Sequence, residues 1–85
     1  MKQFEYIIAD VTGIHARPAT VLVKAAKEYK STVNIQKGDK KADVKRLIAL
    51  MALGVKYKDK VLFTIEGEDE DIAAAELRVF CEKNL

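Results

Sequence analysis

Histidine, proline and cysteine each occur once in this chain of 85 residues, and tryptophan does not occur at all. One histidine and one distant cysteine cannot supply the ligands of a zinc site, so we expect neither a metal nor another cofactor. Cys81 has no partner for an internal disulfide bond, and we interpret it as a small buried hydrophobic residue. Because no apolar run approaches the roughly 20 residues of a membrane span, we expect a cytoplasmic protein with no direct membrane insertion.

A strong excess of charge is also absent, because 15 basic residues are balanced by 13 acidic ones and the net charge is +2. This composition lacks the basic stripe of a typical nucleic-acid-binding domain. A regulatory or nucleic-acid-binding α/β module stays open as an alternative, but the tyrosines and phenylalanines fall mostly at core-facing positions rather than on an open face. The length predicts one monomeric domain, residues 1–85, with a small core and its chemistry at the surface.

The only histidine and the only proline lie just before an apolar pattern with helical spacing. Pro18 fits the first turn of a helix, where main-chain N–H groups have no partner within the helix. The N–H groups of Ala16 and Arg17 would then bind anions, and the Arg17 guanidinium can add hydrogen bonds to phosphate oxygens. Gly13 permits a turn with positive φ that brings His15 over the helix end. The pattern indicates a reversibly phosphorylated histidine, and a surface or capping histidine is the alternative.

Alternating and helical apolar spacings predict seven elements in the order β-α-β-β-α-β-α. The predicted elements are a strand at 3–9, a helix at 16–29, strands at 32–36 and 42–44, a helix at 47–53, a strand at 61–65 and a helix starting near 69. A turn at 37–40 makes the second and third strands antiparallel neighbours, and a right-handed crossover leaves a gap for the fourth strand. We therefore predict an α+β open-faced β-sandwich, a four-stranded antiparallel sheet of order 1-4-2-3 covered on one face by three helices.

The short helix at 47–53 has more apolar residues than one buried face requires. Leu50 and Leu53 can face the core while Leu47, Ile48 and Met51 lie on another side. An exposed apolar patch of this kind often marks a partner surface. A fully buried helix is the alternative, because a small domain needs most of its leucines in its core.

The segment Gly13–Ala19, with the sequence GIHARPA, resembles the active-site signature of the HPr family. These are the histidine-containing phosphocarrier proteins of the bacterial phosphoenolpyruvate-dependent sugar phosphotransferase system. The chain length, the segment Lys45–Gly54 and the acidic start of the last helix also fall where that family has them. The resemblance implies a relay protein rather than an enzyme, in which His15, supported by Arg17, accepts a phosphoryl group from enzyme I and passes it to the IIA domains of sugar permeases. A nitrogen-branch homologue is the closest alternative, because it shares the motif but has other partners.

A docking surface for these partners is also implied by the resemblance. We expect it on the apolar side of the short helix and on the nearby exposed face of the first helix, with a basic rim that attracts acidic partner surfaces. The predicted partner-binding residues are Thr20, Arg46, Leu47, Ile48 and Met51, and the predicted rim residues are Lys24, Lys27, Lys45 and Arg46.

Arg46 departs from the family pattern. Many members from low-GC Gram-positive bacteria have at this position a serine that a kinase phosphorylates to control carbon catabolite repression. Arginine cannot accept that modification, so the resemblance supports phosphoryl transfer while serine-kinase regulation is not expected. Lys45 and Arg46 also place positive charge at a helix start, which is mildly unfavourable, and Asp43 is a candidate N-cap.

Overall fold

A computed structural model describes all residues from Met1 to Leu85. Its elements follow the predicted order. They are β1 (Lys2–Ile7), α1 (Ala16–Lys27), β2 (Thr32–Lys37), β3 (Lys40–Asp43), α2 (Leu47–Ala52), β4 (Lys60–Glu66) and α3 (Glu70–Asn84). None of the three helices is long and apolar enough to cross a membrane.

The four strands form one antiparallel sheet in the order β1-β4-β2-β3. Phe63 of β4 pairs with Phe4 of β1 on one side and with Ile35 of β2 on the other. Paired residues point to the same face of a sheet, and on this face the rings of Phe4 and Phe63 stack with centroids 4.8 Å apart. The helices pack over that face and share one hydrophobic core with it. The predicted α+β open-faced sandwich of order 1-4-2-3 is therefore confirmed.

One apolar stripe on each of α1 and α3 faces this core. The buried residues are Pro18, Ala19, Leu22, Val23 and Ala26 in α1, and Ala73, Leu77 and Cys81 in α3. Ala74 and Phe80 of α3 are half-buried and pack against the same core. Cys81 is 0% exposed and lies in the core, which confirms its interpretation as a small buried hydrophobic residue, and burial raises the pKa of its thiol to about 12.

β1 and α1 end two residues earlier than their apolar patterns predict, and β3 and α2 end one residue earlier. β1 ends at Ile7 rather than Ala9, because the main chain leaves the sheet there and the Ala9 N–H donates to the main-chain oxygen of Leu85. α1 ends at Lys27 rather than Tyr29, because the next two N–H groups bond to carbonyl oxygens three residues back and tighten the last turn. Periodicity locates such elements but does not fix their last residues.

The start of α2 differs from the prediction. Arg46 is its N-cap residue and no side chain caps the helix, so the assignment of Asp43 as N-cap is wrong. Asp43 instead accepts a hydrogen bond from the Lys45 N–H at 2.9 Å, within the turn before the helix. The Lys45 ammonium donates to the carbonyl oxygens of Tyr29 and Ser31 at 2.8 and 2.7 Å. Lys45 is therefore wrong as a member of the basic rim, because its ammonium group is held by two main-chain carbonyl oxygens of the connection between α1 and β2.

Candidate functional site

The only histidine lies at the start of α1 and is exposed to solvent. His15 is the N-cap residue, with extended main chain at φ −97° and ψ −173°. Its side chain forms no capping hydrogen bond, although such a bond is what an N-cap side chain normally contributes. No cluster of histidine, cysteine and acidic side chains that could hold a metal ion is present. The imidazole is thus not engaged in capping and is open to a partner molecule.

The main-chain N–H groups beside His15 have no acceptor within the helix. Ala16 and Arg17 are the first two residues of α1, and Pro18 carries no N–H group. The Ala19 N–H is the first to find a partner, the carbonyl oxygen of His15, at 3.0 Å. The N–H groups of Ala16 and Arg17 therefore lie unpaired at the positive end of the helix dipole. The side chain of Arg17 is exposed and takes part in no ion pair.

The turn before His15 packs tightly against the connection between α2 and β4. Gly13 has a φ of +69°, and a Cβ atom there would lie 2.5 Å from the Val55 carbonyl oxygen and 2.8 Å from the Lys56 Cα. Both the conformation and the available space therefore require glycine. The N–H of the next residue, the buried Ile14, donates to the same Val55 oxygen at 3.1 Å. These contacts fix the main chain from which His15 projects.

Sequence reasoning missed the residues on the other side of His15. The imidazole borders an open depression lined by Asp10, His15, Arg17, Pro18, Val21 and Asn84. The Oδ1 atom of Asp10 accepts hydrogen bonds from the Thr12 N–H at 2.9 Å and from the Thr12 hydroxyl at 2.6 Å. Both bonds lower the pKa of the Asp10 carboxyl. An aspartate two residues before a threonine is a recognisable turn signature that could have identified Asp10, whereas nothing local connects Asn84 with His15.

α2 divides its apolar residues between the core and the surface. Leu50 is 0% exposed and Leu53, just after the helix, is 7% exposed. By contrast Ile48 is 84% exposed, Met51 41% and Leu47 36%. The alternative of a fully buried helix is therefore wrong. We call Leu47, Ile48 and Met51 the α2 patch.

The other predicted docking residues are exposed on α2 and on the helix that packs against it. Arg46 is exposed at the start of α2. On the packed neighbour α1, Thr20 is exposed and its hydroxyl donates to the Ala16 carbonyl oxygen at 2.8 Å. Lys24 and Lys27 follow on the exposed side of the same helix. His15 is the N-cap residue of α1, and α1 packs against α2. One helix therefore connects the imidazole with the helix that carries the patch.

Known proteins resemble this chain along almost its whole length. The model of the family described as PTS HPr component phosphorylation site matches residues 2–83. The phosphocarrier protein HPr of Mycoplasma genitalium is 36% identical over an alignment of 85 positions that covers 99% of this chain and 97% of that protein. The phosphocarrier protein HPr of Borreliella burgdorferi is 44% identical over 82 residues, which are 96% of this chain and 95% of that protein. The crystal structure of HPr-C-His from Thermoanaerobacter tengcongensis matches with a TM-score of 0.94 at 34% identity, over 99% of this chain and 94% of that one.

An exposed histidine at a helix start, a four-stranded sheet of order 1-4-2-3 and full-length similarity thus agree with one another. HPr proteins are relay components that carry a phosphoryl group and are not themselves enzymes. The chain belongs to the HPr family, the phosphocarrier proteins of the phosphotransferase system.

Proposed function

We propose that His15 accepts a phosphoryl group from phospho-enzyme I and passes it to the IIA domains of sugar permeases. The observation that carries this proposal is the exposed imidazole at the N-cap of α1, beside two N–H groups that have no acceptor. A neutral imidazole nitrogen is a nucleophile that forms covalent intermediates. The helix start favours the negative charge that the phosphoryl group brings with it.

Each transfer exchanges one bond to phosphorus for another. A ring nitrogen of His15 gives its lone pair to phosphorus while the bond to the donor breaks, and the donor keeps that electron pair. The N–H groups of Ala16 and Arg17 and the Arg17 guanidinium balance the charge on the phosphoryl oxygens. In the onward transfer His15 is the leaving group and its nitrogen recovers the lone pair. The depression beside His15 is open on this chain, so a partner's active site has to cover the imidazole and exclude water.

The α2 patch supports the docking part of the proposal. Large apolar side chains exposed side by side favour burial by a partner, at about 25 cal/mol for each Å² of apolar surface removed from water. Arg46 lines one depression with Leu47 and Ile48, Thr20 is exposed on the adjacent helix α1, and Arg46 with Lys24 and Lys27 would attract an acidic partner surface. We infer that enzyme I and the IIA domains use this same surface in turn, since both have to reach His15.

The protein acts in this scheme as a cytoplasmic monomer with one domain, residues 1–85. A carrier that serves successive partners has to present its phosphorylated residue and its docking surface together. His15 and the α2 patch are both exposed on a single chain, which supports a monomeric carrier.

The arginine at position 46 supports the proposal that no serine kinase regulates the protein at this position. A serine kinase phosphorylates a hydroxyl group, which arginine lacks. The positive charge of the Arg46 guanidinium is also opposite to the charge of a phosphoserine. We expect no gain in intact mass when the native chain is incubated with HPr serine kinase and ATP, together with unimpaired transfer through His15. A phosphate on another serine or threonine would show that control has moved elsewhere; the Ser31 hydroxyl is shielded from a kinase, because the residue is only 1% exposed.

His15→Ala tests the proposal directly. Wild-type protein is incubated with phosphoenolpyruvate and enzyme I, and in parallel with the corresponding enzyme of the nitrogen branch, and the bound phosphoryl group is measured by intact mass. We expect phosphorylation by the sugar-branch enzyme, none in His15→Ala, and slower but complete phosphorylation in Arg17→Ala, in which the main-chain N–H groups remain. Circular dichroism should show an unchanged fold for His15→Ala, because the side chain is exposed. A labelled His15→Ala protein would refute the assignment, and labelling only by the other enzyme would place the chain in the nitrogen branch.

A further inference from the structure

Asp10, which lies in the segment that leads to His15, takes part in four hydrogen bonds. Its N–H donates to the main-chain oxygen of Leu85 at 2.7 Å, and its carbonyl oxygen accepts from the Gly13 N–H at 2.9 Å. Its Oδ1 atom accepts from the N–H and the hydroxyl of Thr12 at 2.9 and 2.6 Å. Asp10 therefore joins three parts of the main chain, and its carboxylate can rotate away only by giving up both hydrogen bonds from Thr12.

The second carboxylate oxygen of Asp10 is not used in this turn. Both side-chain hydrogen bonds go to Oδ1, and none of the ion pairs involves Asp10 or Arg17. Asp10 nevertheless lines the same depression as His15 and Arg17. The hydrogen bonds from Thr12 lower the pKa of the Asp10 carboxyl, and the nearby His15 acts in the same direction, so the carboxylate is charged at neutral pH. The depression thus contains the Asp10 carboxylate and the Arg17 guanidinium, and the two groups form no salt bridge with each other.

We propose that Asp10 is a positioning residue for His15, and that its negative charge makes the phosphorylated state of His15 give up its phosphoryl group more readily. This inference rests on the proposed phosphorylation of His15. The phosphoryl group adds negative charge to a depression in which Asp10 already carries one, and repulsion disfavours the loaded state. Arg17 and the two N–H groups act in the opposite direction. A phosphocarrier has to accept a phosphoryl group and also to release it. The negative charge of Asp10 offsets part of the stabilisation that the helix start gives to this group.

The expected size of the effect follows from Coulomb's law near a protein surface. The depression is open to solvent, so screening is close to that of bulk water, and one unit charge beside another then changes an equilibrium constant by about threefold to tenfold. Removal of the Asp10 charge should shift the phosphoryl equilibrium between the donor and His15 toward phosphohistidine by this factor. A role confined to shaping the turn would change transfer rates or stability, but not this equilibrium.

Three variants separate the effect of the Asp10 charge from the effect of its hydrogen bonds in the turn. They are Asp10→Asn, Asp10→Ala and Asp39→Asn. Asparagine keeps an oxygen that can accept both hydrogen bonds from Thr12, whereas alanine removes the acceptor and the charge together. Asp39 is an exposed aspartate in the turn between β2 and β3 with no side-chain hydrogen bond or ion pair, so Asp39→Asn controls for net charge. Each variant is equilibrated with a catalytic amount of enzyme I at fixed ratios of phosphoenolpyruvate to pyruvate, and the phosphorylated fraction is measured by NMR of the imidazole.

We expect Asp10→Asn to shift the equilibrium about threefold to tenfold toward phosphohistidine, with the amide resonances of Gly13 and Ile14 nearly unchanged. Asp10→Ala should show the same shift together with slower transfer, because the turn loosens, and Asp39→Asn should stay within about twofold of wild type. An unshifted equilibrium in Asp10→Asn, or an equal shift in Asp39→Asn, would overturn the inference. A wild-type chain that takes up no phosphoryl group at all would refute the proposed function itself, which is a different result.

Discussion

Replacing Gly13 by alanine tests the tight turn that carries His15. Gly13 has a φ of +69° and Gly38 a φ of +61°, so both positions cost a non-glycine residue about 1–2 kcal/mol in backbone conformation. A Cβ at Gly38 would meet no atom within 4 Å, whereas a Cβ at Gly13 would lie 2.5 Å from the Val55 carbonyl oxygen. That oxygen belongs to the main chain and cannot rotate away, so overpacking adds about 1–3 kcal/mol. We expect Gly38→Ala to lower the free energy of unfolding by about 1–2 kcal/mol and Gly13→Ala by about 2–5 kcal/mol.

Urea unfolding followed by circular dichroism measures both changes, and an unchanged m-value shows that only stability was altered. Phosphoryl transfer from enzyme I gives a second measurement. In Gly13→Ala the hydrogen bond from Ile14 to Val55 has to lengthen, which displaces His15, so transfer should slow even under conditions where the variant is fully folded. Gly38→Ala should transfer at the wild-type rate. Equal destabilisation in the two variants, or normal stability in Gly13→Ala, would refute the argument that close packing as well as φ requires glycine at this position.

Two further predictions concern the docking helix and a carboxylate at the far end of the molecule. Ile48→Glu should weaken partner binding with little effect on the unfolding free energy because Ile48 is 84% exposed, whereas Leu50→Ala should cost about 2–5 kcal/mol of stability because Leu50 is 0% exposed. The reverse pattern would contradict the division of α2. Hydrogen bonds from Ser31 lower the pKa of Asp69 from 3.8 to about 2, so its contribution to stability is present above the ordinary pKa and is lost as the pH falls through about 2. Asp69→Asn should therefore lose less stability than wild type between about pH 4 and pH 2, and coinciding acid unfolding curves would contradict this reasoning.

Local patterns in the sequence were enough to predict the order and topology of the elements. Alternation of apolar residues marks the strands, and a spacing of three to four residues marks the helices, because these periods follow from backbone geometry alone. The short turn around Gly38 and the handedness of the crossover then leave one plausible sheet order. The start of α1 was equally readable, since Pro18 and the glycine before His15 have strong local conformational preferences.

Only the tertiary structure decided between a half-exposed and a fully buried α2, because the apolar residues of that helix outnumber the positions of one face and both arrangements fit the spacing. Contacts between distant parts of the chain were likewise invisible in the sequence. Leu85 binds the segment at Asp10, and Lys45 donates to carbonyl oxygens of the connection between α1 and β2 instead of extending into solvent. Such contacts depend on where folding brings two segments together, and neither periodicity nor local preference records the position of a residue far away along the chain.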